Sequence, residues 1–127
     1  MWNPFRRAVA NLAPNGIPDF MQIGATFPPT GNGRLTHTSQ TGDTYAFNIV
    51  RNGASGAYDV FIETDVNYRG RDSSGHATHR LASPNGQPLR ICFKEGKEPR
   101  DLRMAVALSL AWSERTSRYI RDGQPWS

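Results

Sequence analysis

The sequence predicts an α+β fold, an antiparallel β-meander of about five strands with a long C-terminal helix packed across one face and an irregular, Pro-rich N-terminal arm. Three observations carry this reading. From Arg34 onward, apolar and polar residues alternate with a period of two in five short runs. Clusters rich in glycine, asparagine and proline separate the runs. From Pro99 to Gly123 the period lengthens to that of a helix.

The arm, 1–33, carries Pro4, Pro14, Pro18, Pro28 and Pro29, with Asn15-Gly16 and Gly31-Asn32-Gly33. Proline removes backbone donors from helix and sheet interiors, so at most one short helix fits, about Pro4 to Leu12. Ile17, Phe20, Met21, Ile23 and Phe27 are its apolar anchors to the rest of the chain.

The β-region, 34–95, divides into runs at about 34–40, 44–51, 57–69, 76–82 and 88–94. Thr41-Gly42-Asp43, Asn52 to Gly56, Asp72 to Gly75 and Pro84-Asn85-Gly86 lie between them. Glycine and asparagine accept the positive φ that tight hairpins require, so successive antiparallel pairing is the economical topology. The third run alternates most clearly. Tyr58, Val60, Ile62, Thr64, Val66 and Tyr68 are expected to face the core, with Asp59, Phe61, Glu63, Asp65, Asn67 and Arg69 on the other side. In the last run Leu89, Ile91 and Phe93 are expected inward, and Arg90, Cys92 and Lys94 outward.

The helix, 98–123, is expected to open at Pro99, with Glu98 and Asp101 near its positive end, and to stop at Gly123 before Pro125. At 100° per residue, Leu102, Ala105, Ser109, Trp112, Thr116, Tyr119 and Ile120 share one face. Arg100, Arg103, Arg115, Arg118 and Arg121 share the opposite one. Between the arginines, Met104, Ala107, Leu110 and Ala111 make one segment apolar all round, which calls for cover on both sides, by the arm or by a second chain.

With 127 residues, the chain has the size of a single domain, 1–127. One cysteine, Cys92, closes no intramolecular disulfide, which suits a reducing, cytoplasmic setting. Arg6-Arg7 precede an apolar stretch, Ala8 to Ala13, that is too short for a signal-peptide core. No run approaches the roughly 20 apolar residues that span a bilayer, so no membrane partner is expected. The net charge is +4, and thirteen of the fifteen basic residues are arginine. That excess inclines the chain weakly toward anionic partners.

Several groupings carry chemistry on paper. His76 and His79, beside Asp72 and with His37 and Cys92 elsewhere, are candidate zinc ligands. In a strand, however, residues three apart point to opposite faces, so no metal or other cofactor is expected. Cys92 between Arg90 and Lys94, with His79 near, would be a candidate nucleophile, but no hydrolase signature surrounds it. Asp59, Glu63 and Asp65 share one sheet face, where pairing with Arg90 and Lys94 is the expected use. Phosphate-loop and dinucleotide patterns are absent. Trp2, Phe5 and Trp126 are expected to anchor the ends of the chain.

The order of short helix, antiparallel strands and long C-terminal helix resembles the double-stranded RNA-binding domain. The chain departs from that family in having five runs rather than three, and in opening its last helix with Glu98-Pro99-Arg100-Asp101 in place of a lysine-rich cluster. On those departures the chain is not identified as a member of that family, and topology alone would assign no function. The expectation is a non-enzymatic binding protein, a regulator, inhibitor or assembly subunit, that contacts a protein partner or a second copy. Its contact surface would comprise Met104, Ala107, Leu110, Ala111, Arg69 and Arg71, with the open face of the third run. The alternative is nucleic-acid binding along Arg100, Arg103, Arg115, Arg118 and Arg121.

Overall fold

The computed structural model describes residues 25–26 and 33–124. The N-terminal arm, apart from Ala25, Thr26 and Gly33, lies outside the described residues, as do Trp2, Phe5 and Trp126. The fold is α+β: an antiparallel sheet with one long C-terminal helix. Five strands, β2 (Gly33–Thr38), β3 (Thr44–Arg51), β4 (Tyr58–Ile62), β5 (Arg80–Leu81) and β6 (Arg90–Ile91), are joined by the two-residue β1 (Ala25–Thr26). A one-turn helix α1 (Gly75–Thr78) precedes β5, and α2 runs from Leu102–Asp122.

The two hairpins expected at the start of the sheet form. The β2–β3 turn places Gly42 at φ 95, and Gly42 N–H donates to Ser39 O at 3.0 Å. Its register pairs Leu35 with Phe47 and His37 with Tyr45. The β3–β4 turn closes through Asn52 N–H to Ala57 O at 2.8 Å, and the register pairs Asn48 with Phe61 and Val50 with Asp59.

Beyond β4 the strand order is β4–β6–β5, so the meander does not continue to the edge. Residues 76–82, expected as a strand, form α1, a left-handed residue and the short β5. Local capping chemistry decides this. Ser74 N–H donates to Asp72 Oδ1 at 2.9 Å, Ala77 N–H to Ser74 Oγ at 3.3 Å and Thr78 Oγ1 to Ser74 O at 2.7 Å. Serine and aspartate offer the backbone an alternative to a ladder, and here the turn takes it. His79 ends the turn at φ 52, ψ 45. A side chain at Gly75 would bring its Cβ to 2.6 Å from Arg80 O, so the turn needs glycine there.

The third run forms a ladder only over Tyr58–Ile62, yet the burial alternation continues through half-buried Thr64 and Val66 to buried Tyr68. Past Ile62 the backbone bends at Thr64, and Ala46 still holds it: its carbonyl accepts from Glu63 N–H at 2.8 Å and its N–H donates to Thr64 Oγ1 at 2.7 Å. The last run is shorter than expected, Arg90–Ile91. Ile91 is buried and Phe93 half-buried as expected, whereas Leu89 is exposed.

The long helix begins three residues later than the Pro99 start read from the sequence. Asp101 is its N-cap, its carboxylate accepting from Met104 N–H at 2.8 Å. Pro99 O instead accepts from Tyr58 N–H at 2.8 Å, which ties this segment to the start of β4. At the other end Gly123 adopts φ 69, and its N–H donates to Tyr119 O at 2.8 Å.

The core lies between sheet and helix. Leu35, Tyr45, Phe47, Ile49, Val60, Ile62 and Ile91 pack against Ala105, Val106, Leu110, Ala111 and Trp112. Each large apolar side chain buried there contributes about 2 kcal/mol. Trp112 meets Tyr45 and Phe47 edge-on, at centroid distances of 5.7 and 5.9 Å. A hydroxyl chain crosses the interface: Tyr45 Oη and Ser117 Oγ are 2.8 Å apart, and Ser117 Oγ donates to Ser39 Oγ at 2.8 Å.

The helix face expected inward is buried, with Leu102 half-buried at its start. The segment expected to need cover on both sides is buried around its whole circumference from Ala105 to Ser113. Ala107 and Leu108 form a second cluster with Phe93 and Met104.

Candidate functional site

Among the described residues, the surface left open by this packing is the outer face of the sheet. Alternation along β3 and β4 sends Asn48, Val50, Asp59 and Phe61 outward, opposite the buried Phe47, Ile49 and Val60. Glu63 follows on the same side, and its backbone N–H still donates to Ala46 O at 2.8 Å. A groove of about 400 Å³ runs over this face, lined by Phe61, Val50, Asn48, Asn52 and the two carboxylates, with Arg51, Gln87 and Pro88 along its sides. A second hollow of about 210 Å³ continues from Glu63 and Pro88 to Arg80 and Leu89. Leu81 and Leu89, 47% and 38% exposed, are the large exposed hydrophobics of the described residues.

Ion pairs bracket Phe61. Arg90 Nη1 lies 3.6 Å from Asp59 Oδ1, and Arg34 Nη2 lies 3.1 Å from Glu63 Oε2. Arg90 also donates to Ala82 O at 3.0 Å, and Asn52 Nδ2 donates to Asp59 Oδ2 at 3.4 Å. Arg34 is 72% exposed, so its pair contributes no more than about 0.5 kcal/mol to stability. The arrangement is a half-buried aromatic ring among charges that solvent still reaches.

Arg90 is thus the expected partner of Asp59, whereas Glu63 pairs with Arg34 rather than with Lys94, and Asp65 lies beyond the ladder. The sequence reading sets Phe61 on the outward side with Asp59, Glu63, Asp65, Asn67 and Arg69 and does not single it out, although it is the one apolar residue of that set. Gln87 and Pro88 were not legible as groove residues, because the turn at Pro84–Gly86 brings them to the groove.

The helix residues expected as a partner surface are placed differently. Ala107, Leu110 and Ala111 are 0%, 7% and 3% exposed, so they offer no free surface in the folded chain, and Met104 is half-buried. Arg71 turns onto the end of α2, where its Nε and Nη2 donate to Ile120 O and Arg121 O at 3.4 and 3.3 Å. Arg69 is exposed at φ 54 in the turn that follows Tyr68.

The arginine stripe is not continuous. Arg115 is buried, at 7% exposure. Arg100 donates to Ser55 O at 2.9 Å, and Arg121 pairs with Asp122 at 3.1 Å. Arg103 and Arg118 are exposed.

Among the described residues, no three histidine, cysteine, aspartate or glutamate side chains gather where a metal ion could be held. His37 Nε2 instead meets Glu114 Oε2 at 2.6 Å, while Glu114 Oε1 accepts from Gln40 N–H at 3.1 Å. Together they fasten the first hairpin to α2. Burial pushes the His79 imidazole down to about 4, and the nearby positive charges of His76 and Arg115 add to the shift. Cys92 is half-buried, and its backbone N–H donates to His79 O at 2.8 Å. Tyr68 meets Tyr119 at a tilt of 60°, ring centres 6.2 Å apart, and carries the Arg80 guanidinium 4.8 Å from its ring centre. Burial raises the Tyr68 phenol, against the opposing pull of Arg80.

No helix among the described residues is long and apolar enough to cross a membrane. Comparison of the chain with family models, with curated proteins and with solved structures finds no match.

Proposed function

We propose that the protein works by contact with another protein, through the open face of its sheet, and carries out no covalent chemistry. The observation that supports this reading is the groove over Phe61. It is formed largely by strand residues whose backbones are fixed by the ladder, and it is floored by an aromatic ring with ion pairs on both sides. An aromatic anchor surrounded by a polar rim is the common anatomy of a protein contact surface. The exposed Leu81 and Leu89 extend its apolar area toward the sheet edge. The long helix is the weaker candidate, because its apolar segment is already used inside the fold.

The alternative reading, nucleic-acid binding along the last helix, rests on Arg100, Arg103, Arg118 and Arg121, with Arg115 withdrawn by burial. It requires affinity that falls with salt by about 0.9 log units per log unit for each duplex phosphate contacted.

The test is site-specific photocrosslinking in living cells, with benzoylphenylalanine replacing Phe61 and, in a control, Arg118. Adducts from position 61 and none from 118 support the sheet face. Adducts from 118 alone, or none from 61, remove it.

A further inference from the structure

The groove over Phe61 has apolar walls, and its charged groups are already engaged within the fold. Phe61, Val50 and Pro88 supply the apolar surface. Glu63 meets Arg34 at 3.1 Å, and Asp59 meets Arg90 at 3.6 Å and Asn52 Nδ2 at 3.4 Å. Asn52 Oδ1 in turn accepts from Ala54 N–H at 2.9 Å. Among the described residues, the side-chain amides of Asn48 and Gln87 are the polar lining groups that meet no hydrogen-bond partner.

These facts set the chemistry of an occupant. A cation would compete with Arg34 and Arg90 for carboxylates that already hold them, and an anion would face Asp59 and Glu63. An uncharged ligand meets neither penalty. The backbone of Asn48 is paired with Arg34 on one side and Phe61 on the other, so a ligand lying here is met by side chains and is not received as an added strand. A carboxamide offers both a donor and an acceptor, which is what one peptide group requires. Each unpaired amide adjoins an apolar wall: Asn48 is in register with Phe61, and Gln87 precedes Pro88 in the chain. The set therefore fits an apolar side chain with a peptide group on either side of it. The volume of about 400 Å³ lies toward the lower end of ligand sites and suits an occupant of that size.

We propose that the groove receives a single uncharged, apolar side chain of the partner, leucine or phenylalanine in kind, lying among Phe61, Val50 and Pro88, with the flanking peptide groups bonded to the Asn48 and Gln87 amides. The proposal rests on the sheet face being the contact surface and states what the partner brings to it.

The experiment is a titration of the isotope-labelled full chain with blocked tripeptides, acetyl-Gly-X-Gly-amide with X as Leu, Phe, Arg or Glu, followed by amide chemical shifts. Methyl glucoside is the uncharged comparison that lacks a peptide group. With Leu or Phe, saturable shifts are expected at the Asn48 and Gln87 side-chain amides and at Phe61, with dissociation constants of about 1 to 10 mM for so short and flexible a ligand. Arg and Glu should bind at least about fivefold more weakly, and a rise from about 50 to about 500 mM salt should change the Leu and Phe values less than about twofold. Phe61→Ala should weaken binding at least about fivefold, and Asn48→Leu and Gln87→Ala about threefold each. Arg118→Ala should leave it unchanged. Gln87 is exposed and outside the strands, so its variant decides the question even if Phe61→Ala fails to fold. No saturable shift with Leu or Phe overturns the proposal, as does tighter binding of the charged peptides or of the glucoside, or binding untouched by the groove variants. The crosslinking test separates the two readings: adducts from position 61 without tripeptide binding keep the contact surface and remove this occupant. No adduct from position 61 removes the surface itself.

Discussion

The indole Nε1 of Trp112 donates to the backbone carbonyl of Thr78 at 3.2 Å, joining the middle of the long helix to the one-turn helix that precedes β5. Both residues are fully buried. The largest side chain of the core thus finds its polar partner in a segment whose sequence reads as a strand. Trp112→Phe keeps most of the ring but leaves the Thr78 carbonyl short of a donor and opens space beside Tyr45 and Phe47. It should cost about 2 to 3 kcal/mol, read as a lower urea midpoint at unchanged slope. A loss below about 0.5 kcal/mol would mean that the indole contact does not hold this corner.

Arg71 and Gly123 act together at the far end of the helix. A side chain at Gly123 would place its Cβ 2.3 Å from Arg71 Nη1, and φ there is 69. Gly123→Ala should cost about 1 to 2 kcal/mol, part of it backbone strain and part displacement of the guanidinium from the Ile120 and Arg121 carbonyls. In a double-mutant cycle with Arg71→Ala, the steric part should vanish and the strain should remain. Strict additivity would show that the guanidinium moves aside without cost.

At alkaline pH the buried Tyr45 should make itself felt. Burial pushes its phenol up to about 12, against an opposing hydrogen bond with Ser117. The folded state therefore holds this proton more tightly than the unfolded chain does. The stabilisation is complete below pH 10 and is lost as pH rises from 10 through about 12. Its size is on the order of 2 kcal/mol. Tyr45→Phe should cost about 1 kcal/mol at neutral pH, where Ser117 loses a partner, and should flatten the alkaline fall in the denaturation midpoint. An alkaline fall identical in the variant would assign the effect to other groups.

His79 should shape the acid side. Its imidazole, pushed down to about 4 chiefly by burial, stays neutral in the fold over a range where the unfolded chain is protonated. Stability from this group is complete above pH 6.5 and is lost as pH falls toward 4. Asparagine tolerates the left-handed backbone at this position, so His79→Asn removes the titration with little strain. The variant's midpoint should vary less with pH between 6.5 and 4 than that of the native chain. An unchanged profile would remove His79 as its cause.

The outward residues of β4 were legible because strand alternation assigns a face to every second residue, whatever the sheet does around it. Asp59, Phe61 and Glu63 fall on one side by that rule alone, and Val60, Ile62, Val66 and Tyr68 on the other, even beyond the end of the strand at Ile62. Helix periodicity separated Trp112 and Thr116 from Arg118 and Arg121 for the same reason. It failed for Arg115, because the depth to which a flank of the helix sinks depends on what is packed beside it.

By itself the sequence determined the class of the fold, the first two hairpins, the long helix and the two sides of the central strands. All of these follow from interactions within a few residues: alternation, turn geometry and periodicity. Only the tertiary structure decided that β6 lies between β4 and β5, that Arg34 pairs with Glu63, that Arg71 binds the end of the helix and that Trp112 reaches Thr78. Each joins residues far apart in the chain. Which distant partner a side chain meets depends on register and packing across the whole core, and no local pattern carries that information.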